Sequence, residues 1–375
     1  MLSIDMMGLE MPNPVMVSAG PWSRGHELIR KALQSGAGAV VTESIVSEPY
    51  PDVCPRYAYA NGGMQNIRVY SGINLDKWLE ELAIIKESKK FGQKGLIIAN
   101  IMASSPSELG YLAKKMEQAG VDAIELGLAS PIGEGAEIIA GNEKETYEFT
   151  KAAVRAAGIP VMVKLSHNTS DLSRTVKAVE RAGACGISAI DTMRCILNVD
   201  VETGIPVLPT YGGYSGAPIR PMGLAAVAWI AQSTKLPIVG IGGIENHINL
   251  LEYIMLGASA GAVGTSVLLN GYERIRSITE NLEGWLKSHH IDSISEIRGR
   301  SLRELKSYEE IIVEPKVAVA DKACSDSDCL SCVKCCISEA IQLDGNNIAI
   351  DSSRCNGCGL CAQVCPHDKI RLKYK

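Results

Sequence analysis

Residues 95–128 read GLIIANIMASSPSELGYLAKKMEQAGVDAIELGL: an apolar run, an amphipathic segment and a second apolar run. Within Ser107–Ala119, apolar residues recur at helical spacing, which predicts a helix with one buried face. Gly120 follows this segment, where a glycine commonly ends a helix. The stretch therefore predicts a strand, a helix and a second strand in succession.

The same unit recurs along the chain, with helix-to-strand junctions that read SGAGAVV, AGVDAIE, AGIPVMV and AGACGIS. The eight candidate strands are Pro14–Ala19, Gly38–Glu43, Gly95–Ile101, Ala123–Leu128, Pro160–Leu165, Gly186–Asp191, Leu236–Ile241 and Gly261–Thr265. Eight such units with right-handed crossovers predict a closed (β/α)8 TIM barrel. A doubly wound sheet is the alternative, but SAGPWSRG after the first strand lacks its GxGxxG turn.

Two segments are longer than a strand-to-helix connection requires. Residues 44–75 follow the second strand and residues 192–221 follow the sixth, so both leave the rim where barrel enzymes have their active sites. We expect a lid or substrate pocket there, although surface insertions are the alternative. We predict a barrel over 1–300, a linker over 301–322 and a small α+β domain over 323–375.

Composition excludes several classes of partner. The formal charge of −5 and the absence of a basic block argue against nucleic-acid binding. The N-terminus lacks the pattern of a signal peptide. The longest nearly uncharged stretch, Ile254–Gly271, is rich in Gly, Ala and Ser, so we expect a buried strand there and no membrane span.

The cysteines are crowded at the end of the chain. Only Cys54, Cys185 and Cys195 precede residue 324, and the other nine of the twelve lie within residues 324–375. CxxC spacing in such a cluster indicates metal ligation by thiolates, which requires a reducing compartment, so we expect a cytoplasmic protein. A disulfide framework is the alternative, but the rest of the chain does not resemble a small secreted protein.

Cys355-x2-Cys358-x2-Cys361-x3-Cys365-Pro366 is the strongest motif in the chain. In two-cluster ferredoxins of the bacterial type, three such thiolates bind one [4Fe–4S] cluster and the fourth binds its neighbour. A zinc site would instead pair two CxxC knuckles across a longer gap. The motif predicts a bacterial-ferredoxin-like domain with two [4Fe–4S] clusters.

The upstream half of this domain is irregular. If Cys335 were the third cysteine of a regular run, the fourth position would fall on Glu339. Ile341 lies five residues after Cys336, as Ile370 lies five residues after Cys365, and this spacing aligns Cys336 with Cys365. The predicted ligands are Cys324, Cys329, Cys332 and Cys365 for one cluster, and Cys336, Cys355, Cys358 and Cys361 for the other. Whether Cys324 or Cys335 is the ligand stays open.

The last two barrel strands end in GIGGI and GAVGTS, which suits a phosphate cradle built from backbone N–H groups. Together with NPVMVSAG, IIANIMASSPSELGYLAKKMEQAGVDAIELGLASP, VMVKLSHN and TYGGYSGAPIRPMGLAAVAWIA, these stretches resemble the dihydroorotate dehydrogenase family. They most resemble the branch that contains the C-terminal half of dihydropyrimidine dehydrogenase, which also ends in a two-cluster ferredoxin domain. The resemblance implies an FMN-dependent dehydrogenase or reductase that acts on CH–CH groups.

The resemblance also implies functional residues. The matching cofactor positions are Ala19, Gly20, Glu43, Ser44, Asn100, Lys164, Ser215, Gly216, Gly242, Gly243, Gly264 and Thr265. Lys164 would meet the N1/C2=O edge of the flavin, where a cation stabilises the negative charge of the reduced ring. Ser130, in GLASPIGEG, would give or take the substrate proton, although a serine that caps a turn is the alternative.

Asn66, Gly127, Asp191 and Thr192 match the substrate-binding positions. The family has asparagines where this chain has Gly127 and Asp191, and a lysine where it has Glu43. Because lost polar contacts change specificity, we expect a substrate other than a pyrimidine. It would carry basic or hydrogen-bond-donating groups, or be larger and use the space that Gly127 leaves.

Two functions are compatible with these features. The first is an enzyme that acts on a small cyclic or conjugated molecule and exchanges electrons through the clusters. The alternative is an electron-transfer subunit of a larger complex without its own substrate. No NAD(P)H-binding fingerprint is present, so the electron partner would be a ferredoxin or an FAD-containing NAD(P)H-oxidising subunit. The resemblance also implies a homodimer.

Overall fold

The computed structural model divides the chain into two compact units, Met1–Leu305 and Lys306–Lys375. It describes residues 1–49, 51–90, 94–129, 139, 141–167, 169, 171–320, 324, 329–344 and 347–375. Over these ranges, no helix is both long enough and apolar enough to cross a bilayer.

The first unit is a closed barrel of parallel strands that pair in chain order. Its strands are β1 (Val15–Val17), β2 (Ala39–Val41), β3 (Leu96–Ile101), β4 (Ala123–Gly127), β5 (Val161–Leu165), β6 (Gly186–Ala189), β7 (Ile238–Ile241) and β8 (Ala260–Val263). All eight predicted strands overlap these ranges, and the predicted TIM barrel is confirmed. An N-terminal hairpin, Ile4–Met6 with Leu9–Met11, precedes the barrel.

Helices follow the strands along the chain. They are α1 (Gly25–Gln34), α2 (Leu75–Lys90), α3 (Pro106–Ala119), α4 (Glu143–Ala156), α5 (Leu172–Arg181), α6 (Arg220–Ser233), α7 (His247–Met255), α8 (Thr265–Asn270) and α9 (Glu273–Ser288). Helix α3 confirms the helix predicted from periodicity. The Ser105 side chain accepts from the Glu108 N–H at its start, and Gly120, with φ 85°, ends it.

The two long segments form one structure, which sequence periodicity did not predict. Strands Tyr57–Ala60 and Gly63–Asn66 come from the first segment, and Met193–Cys195 and Gly212–Gly216 from the second. Together they make a four-stranded antiparallel sheet, here called the mouth sheet. Its central contact pairs Gly63–Asn66 with Gly213–Gly216, so neither segment forms the sheet without the other.

The second unit contains two antiparallel strand pairs and is the expected small α+β domain. β9 (Lys316–Ala320) pairs with β12 (Ile370–Tyr374), and β10 (Ile341–Asp344) pairs with β11 (Asn347–Ile350). Short helices α10 (Ser331–Lys334) and α11 (Leu360–Gln363) lie between them in sequence. Strand β9 lies in what we predicted to be linker, 301–322. The apolar run KVAVA buries Val317 and Ala318, which draws this segment into the second unit.

Tyr253 on α7 packs against the carboxyl end of β7. Its side chain is 0% exposed, and its hydroxyl donates to the Gly242 carbonyl oxygen at 2.8 Å. A Cβ at Gly240 would lie 2.4 Å from the Tyr253 ring, so the ring fits only because that position is glycine. The tyrosine thus holds the backbone that leads into the GIGGI turn.

We predict that Tyr253→Phe lowers the free energy of unfolding of the barrel by about 1–3 kcal/mol, because a buried carbonyl loses its donor. Denaturant unfolding monitored by tryptophan fluorescence measures this difference. Tyr111→Phe is the matched control, since Tyr111 is 51% exposed and should tolerate the change. Equal stabilities of the two variants would contradict the role assigned to the Tyr253 hydroxyl.

Candidate functional site

A deep cavity opens at the carboxyl ends of the barrel strands, with about 1270 Å³ of empty space including its open mouth. Every barrel strand contributes lining residues at or just beyond its carboxyl end, and the mouth sheet adds Met64 and Asn66. The cavity therefore occupies the position where barrel enzymes have their active sites.

The structure brings nearly all of the predicted site residues to this cavity. Those that line it are Ala19, Gly20, Glu43, Ser44, Asn66, Asn100, Gly127, Lys164, Asp191, Thr192, Ser215, Gly216, Gly242, Gly243, Gly264 and Thr265. Their individual roles stay predictions. Ser130 lies outside the described residues.

One side of the cavity has the features of a phosphate cradle. Gly242 and Gly243 have φ angles of 126° and 64°, which a residue with a Cβ rarely adopts. Nearby, the Thr265 hydroxyl bonds to the Ser215 hydroxyl at 2.8 Å. The Ser266 hydroxyl is buried and has no hydrogen-bond partner among the described residues, so it can donate to a ligand oxygen. This combination fits the phosphate of FMN.

A buried polar group forms the floor of the cavity. The Lys164 ammonium lies 3.5 Å from Glu125 Oε1 and 3.9 Å from Asp191 Oδ2. Burial lowers the pKa of Lys164, but the Asp191 and Glu125 carboxylates outweigh burial and the pKa is raised overall. Within the part of the chain that the structure describes, no group donates a hydrogen bond to the buried Asn100 Oδ1. A fixed cation beside an unpaired acceptor fits the polar edge of a flavin ring, so the residues present fit FMN.

Glu43, which stands where the family has a lysine, is paired with an arginine that the sequence did not indicate. Arg68 Nε lies 3.0 Å from Glu43 Oε1, and Arg68 Nη1 lies 3.0 Å from Asp52 Oδ2. The Arg68 and Glu43 side chains are only 6% and 4% exposed. Burial raises the pKa of Glu43, and the guanidinium groups of Arg68 and Arg24 oppose this rise. Arg68 is therefore a cation near the position of the family lysine. It comes from the segment 44–75, which carries two strands of the mouth sheet.

Two of the predicted substrate positions have neighbours that the sequence did not indicate. The Asn66 amide is engaged with its own chain, because Oδ1 accepts from the Arg68 N–H at 2.8 Å and Nδ2 donates to the Arg68 carbonyl at 3.2 Å. The space expected at Gly127 is filled, since a Cβ there would lie 2.8 Å from Met102 Cγ. An apolar thioether thus lies where we expected room for a larger substrate.

Sequence reasoning missed Arg68, Met102, Glu125 and Ser266. Glu125 carried a usable signal, because a charged residue in the middle of AIELG, a predicted buried strand, needs buried partners. Arg68 is the cation of QNIRVYSG, but nothing in the sequence indicated that it would meet Glu43. Met102 carried no signal.

In the second unit, cysteine side chains line a cavity between the strand pairs. Cys335, Cys336, Cys355, Cys358 and Cys361 line it. Among the residues that the structure describes, no three Cys, His, Asp or Glu side chains converge on one metal ion. Burial raises the pKa of Cys361 to about 11, so its thiol would ionise at neutral pH only when bound to metal.

The two halves of this unit repeat each other. The Ala340 N–H donates to Cys336 Sγ at 3.3 Å, and the Lys369 N–H donates to Cys365 Sγ at 3.4 Å, each four residues after its cysteine. The strands β10 and β12 each begin five residues after the same cysteines. Cys332 interacts electrostatically with Cys365 and Cys324. This repeat supports the predicted ligand sets, although Cys335 lies beside the second set.

A parallel barrel with a phosphate cradle at its rim, joined to a cysteine-lined α+β unit, defines a flavin-type oxidoreductase with an iron–sulfur domain. The family model described as "Dihydroorotate dehydrogenase" matches residues 1–286, and that described as "4Fe-4S binding domain" matches residues 348–368. The chain belongs to the dihydroorotate dehydrogenase family. It is an FMN-dependent oxidoreductase that acts on CH–CH groups, with a 4Fe–4S domain at its C-terminus.

Curated relatives agree with this membership. The chain is 35% identical over 312 residues to "Dihydroorotate dehydrogenase B (NAD(+)), catalytic subunit" of Pyrococcus abyssi, covering 81% of this chain and 100% of the relative. It is 30% identical over 351 residues to "Dihydropyrimidine dehydrogenase (NADP(+)), chloroplastic" of Arabidopsis thaliana, covering 86% and 82%. The solved dihydroorotate dehydrogenase of Eimeria tenella in complex with ferulenol matches with a TM-score of 0.72 at 19% identity, over 80% of this chain and 89% of that one. At that identity the match shows the fold alone.

We predict that Arg68→Met lowers the free energy of unfolding by about 3–5 kcal/mol, because it leaves Glu43 buried without its partner. Denaturant unfolding measures the loss. Arg24→Met is the control: Arg24 is 35% exposed and 3.9 Å from Glu43, so its loss should cost less than about 1 kcal/mol. The double variant Arg68→Met/Glu43→Gln should recover most of the stability. No recovery would show that the pair is not the cause.

We predict that Cys324→Ser and Cys336→Ser each disturb one cluster, whereas Cys335→Ser keeps both. Iron and sulfide analysis with electron paramagnetic resonance after anaerobic purification distinguishes these cases. Two [4Fe–4S] clusters contain about eight irons per chain. If Cys335→Ser lost iron while Cys324→Ser kept the full content, the ligand register would be wrong.

Proposed function

We propose that this enzyme forms or reduces a carbon–carbon double bond in a small cyclic or conjugated substrate other than dihydroorotate or uracil, and exchanges electrons through two [4Fe–4S] clusters. One observation carries the proposal. The cavity retains the residues that fit FMN, while an ion pair occupies the position of the family lysine, and two positions expected to read a pyrimidine hold a glycine covered by Met102 and an aspartate.

The residues at these positions indicate which chemical groups the substrate carries. Asp191 lies 3.9 Å from Lys164 and accepts from the Thr192 N–H, so it remains an acceptor on the cavity wall. Acceptors bind donors, and a carboxylate in place of the amide at Asp191 penalises a substrate that presents a carbonyl there. Met102 offers an apolar surface on the neighbouring strand end. We therefore infer a substrate with hydrogen-bond-donating or basic groups and one apolar edge.

Bound FMN supplies hydride chemistry at the substrate carbon. Lys164 would hold the polar edge of the flavin and supply a fixed positive charge that stabilises the reduced ring. Ser130 would hold or move the proton at the neighbouring substrate carbon, and a hydroxyl needs a positioned neighbour or water to do so. The clusters carry single electrons, so two transfers balance each substrate turnover.

The electron partner would be a separate protein. Relatives of this chain are described as catalytic subunits, which supports a partner subunit here. A ferredoxin or an FAD-containing NAD(P)H-oxidising subunit fits the single-electron carriers. Cysteine ligation of clusters supports a reducing, cytoplasmic setting, and a homodimer follows from the family resemblance.

Anaerobic purification with cofactor analysis, followed by a substrate screen monitored by flavin absorbance, tests the proposal. We expect about one FMN and about eight irons per chain. The reduced enzyme should be reoxidised by an unsaturated compound with donor groups and not by orotate or uracil. Ser130→Ala is the matched control: it should retain both cofactors but lose at least about 100-fold in turnover.

Three other outcomes of these measurements would each lead to a different conclusion. Efficient turnover of dihydroorotate or uracil would refute the altered substrate. The full set of cofactors with no response to any small molecule would favour an electron-transfer subunit. Absence of flavin from the wild-type protein would refute the proposal as a whole.

A further inference from the structure

We propose that Glu125 is a positioning residue: it orients Asn100 and Lys164 and sets the charge beneath the flavin. This inference rests on the proposed FMN binding. Glu125 does not line the cavity in its own right, and its side chain is 1% exposed. It lies behind the lining residues, where the function proposed above gives it no task.

The barrel register brings the group together. Asn100 on β3 is paired with Glu125 on β4, and Lys164 comes from β5. Asn100 Nδ2 donates to Glu125 Oε1 at 2.7 Å, and the Lys164 ammonium lies 3.5 Å from the same oxygen. Ser188 on β6 donates to Glu125 Oε2 at 2.6 Å. One carboxylate thus connects four consecutive strands.

Glu125 decides which way the Asn100 amide faces. An ionised carboxylate only accepts hydrogen bonds, so the asparagine must turn its NH2 group toward it. Its oxygen is then directed elsewhere: Oδ1 is buried, has no donor among the residues that the structure describes, and lies 3.2 Å from a Cβ placed on cavity-lining Gly127. A buried acceptor without a donor is unfavourable, and an N–H group of a ligand would satisfy it.

Glu125 also determines the charge around Lys164. With Asp191, two carboxylates face one ammonium, so the group carries one net negative charge when all three are ionised. Lys164 and Asn100 then present a donor and an acceptor to the same ligand. This pair matches a carbonyl next to an N–H, the imide edge of the flavin's pyrimidine ring. The surplus negative charge opposes electron uptake by a ring at that edge.

Glu125→Gln tests the proposal on the FMN-loaded protein. The amide has the same shape, and it can accept from Asn100 and donate to Ser188, so the variant should fold. Removing one negative charge should favour the reduced flavin. We expect the reduced-to-oxidised ratio at a given potential to rise about tenfold, a shift of about +30 mV for two electrons. Redox titration monitored by flavin absorbance measures this shift.

Ser188→Ala is the matched control, because it removes a buried hydrogen bond to Glu125 but no charge. We expect it to lower stability and leave the flavin potential unchanged. If both variants lowered stability and neither moved the potential, Glu125 would be only a buried structural residue and the proposal would fail. A wild-type protein without FMN would instead refute the proposed function.

Glu125→Asp provides a second test that does not depend on the folding of the glutamine variant. It keeps the charge but withdraws the carboxylate by one methylene group, so Asn100 and Lys164 lose their fixed orientation. The affinity of the apoprotein for FMN should fall at least about tenfold. Quenching of flavin fluorescence on binding measures this affinity. Unchanged affinity would overturn the proposal.

Discussion

The Glu125 carboxylate, 1% exposed beneath the cavity, holds the floor of the site together through Asn100, Ser188 and Lys164. A charge removed from water is tolerated only when it is paired and hydrogen-bonded. Because its partners come from neighbouring strands, satisfying this one charge fixes the relative positions of several strand ends. The hydrogen-bonding groups of Asn100 and Lys164 that Glu125 does not engage are the donors and acceptors that face the cavity.

The same constraint explains the mouth of the barrel. Glu43 follows β2, and as a buried carboxylate it is stabilised by a cation, which Arg68 supplies from the segment 44–75. The Asn66 side chain in turn holds the Arg68 backbone. A change at any member of this group therefore alters the shape and charge of the cavity wall at this edge.

In the second unit, the predicted cluster site depends on a repeated strand and helix arrangement around the cysteines. Two strand pairs, two short helices and two backbone N–H donors to cysteine sulfur recur at matching intervals. In the predicted ligand sets, each half contributes one cysteine, Cys336 or Cys365, to the other half's cluster. Cys335 lines the same cavity as the set that contains Cys336, and the repeat assigns it no role.

Sequence alone determined the barrel, because period and glycine position are local properties: all eight strands and α3 follow from short stretches. It also indicated the cavity residues, since the carboxyl ends of parallel strands meet at one rim. It could not show that Arg68 neutralises Glu43, that Met102 fills the space beside Gly127, or that two distant segments share one sheet. Those facts depend on contacts between residues far apart in sequence. The pairing of charges in a buried site is decided only by the tertiary structure. Pairing depends on the distance between the groups in space, whereas the sequence gives only their order along the chain.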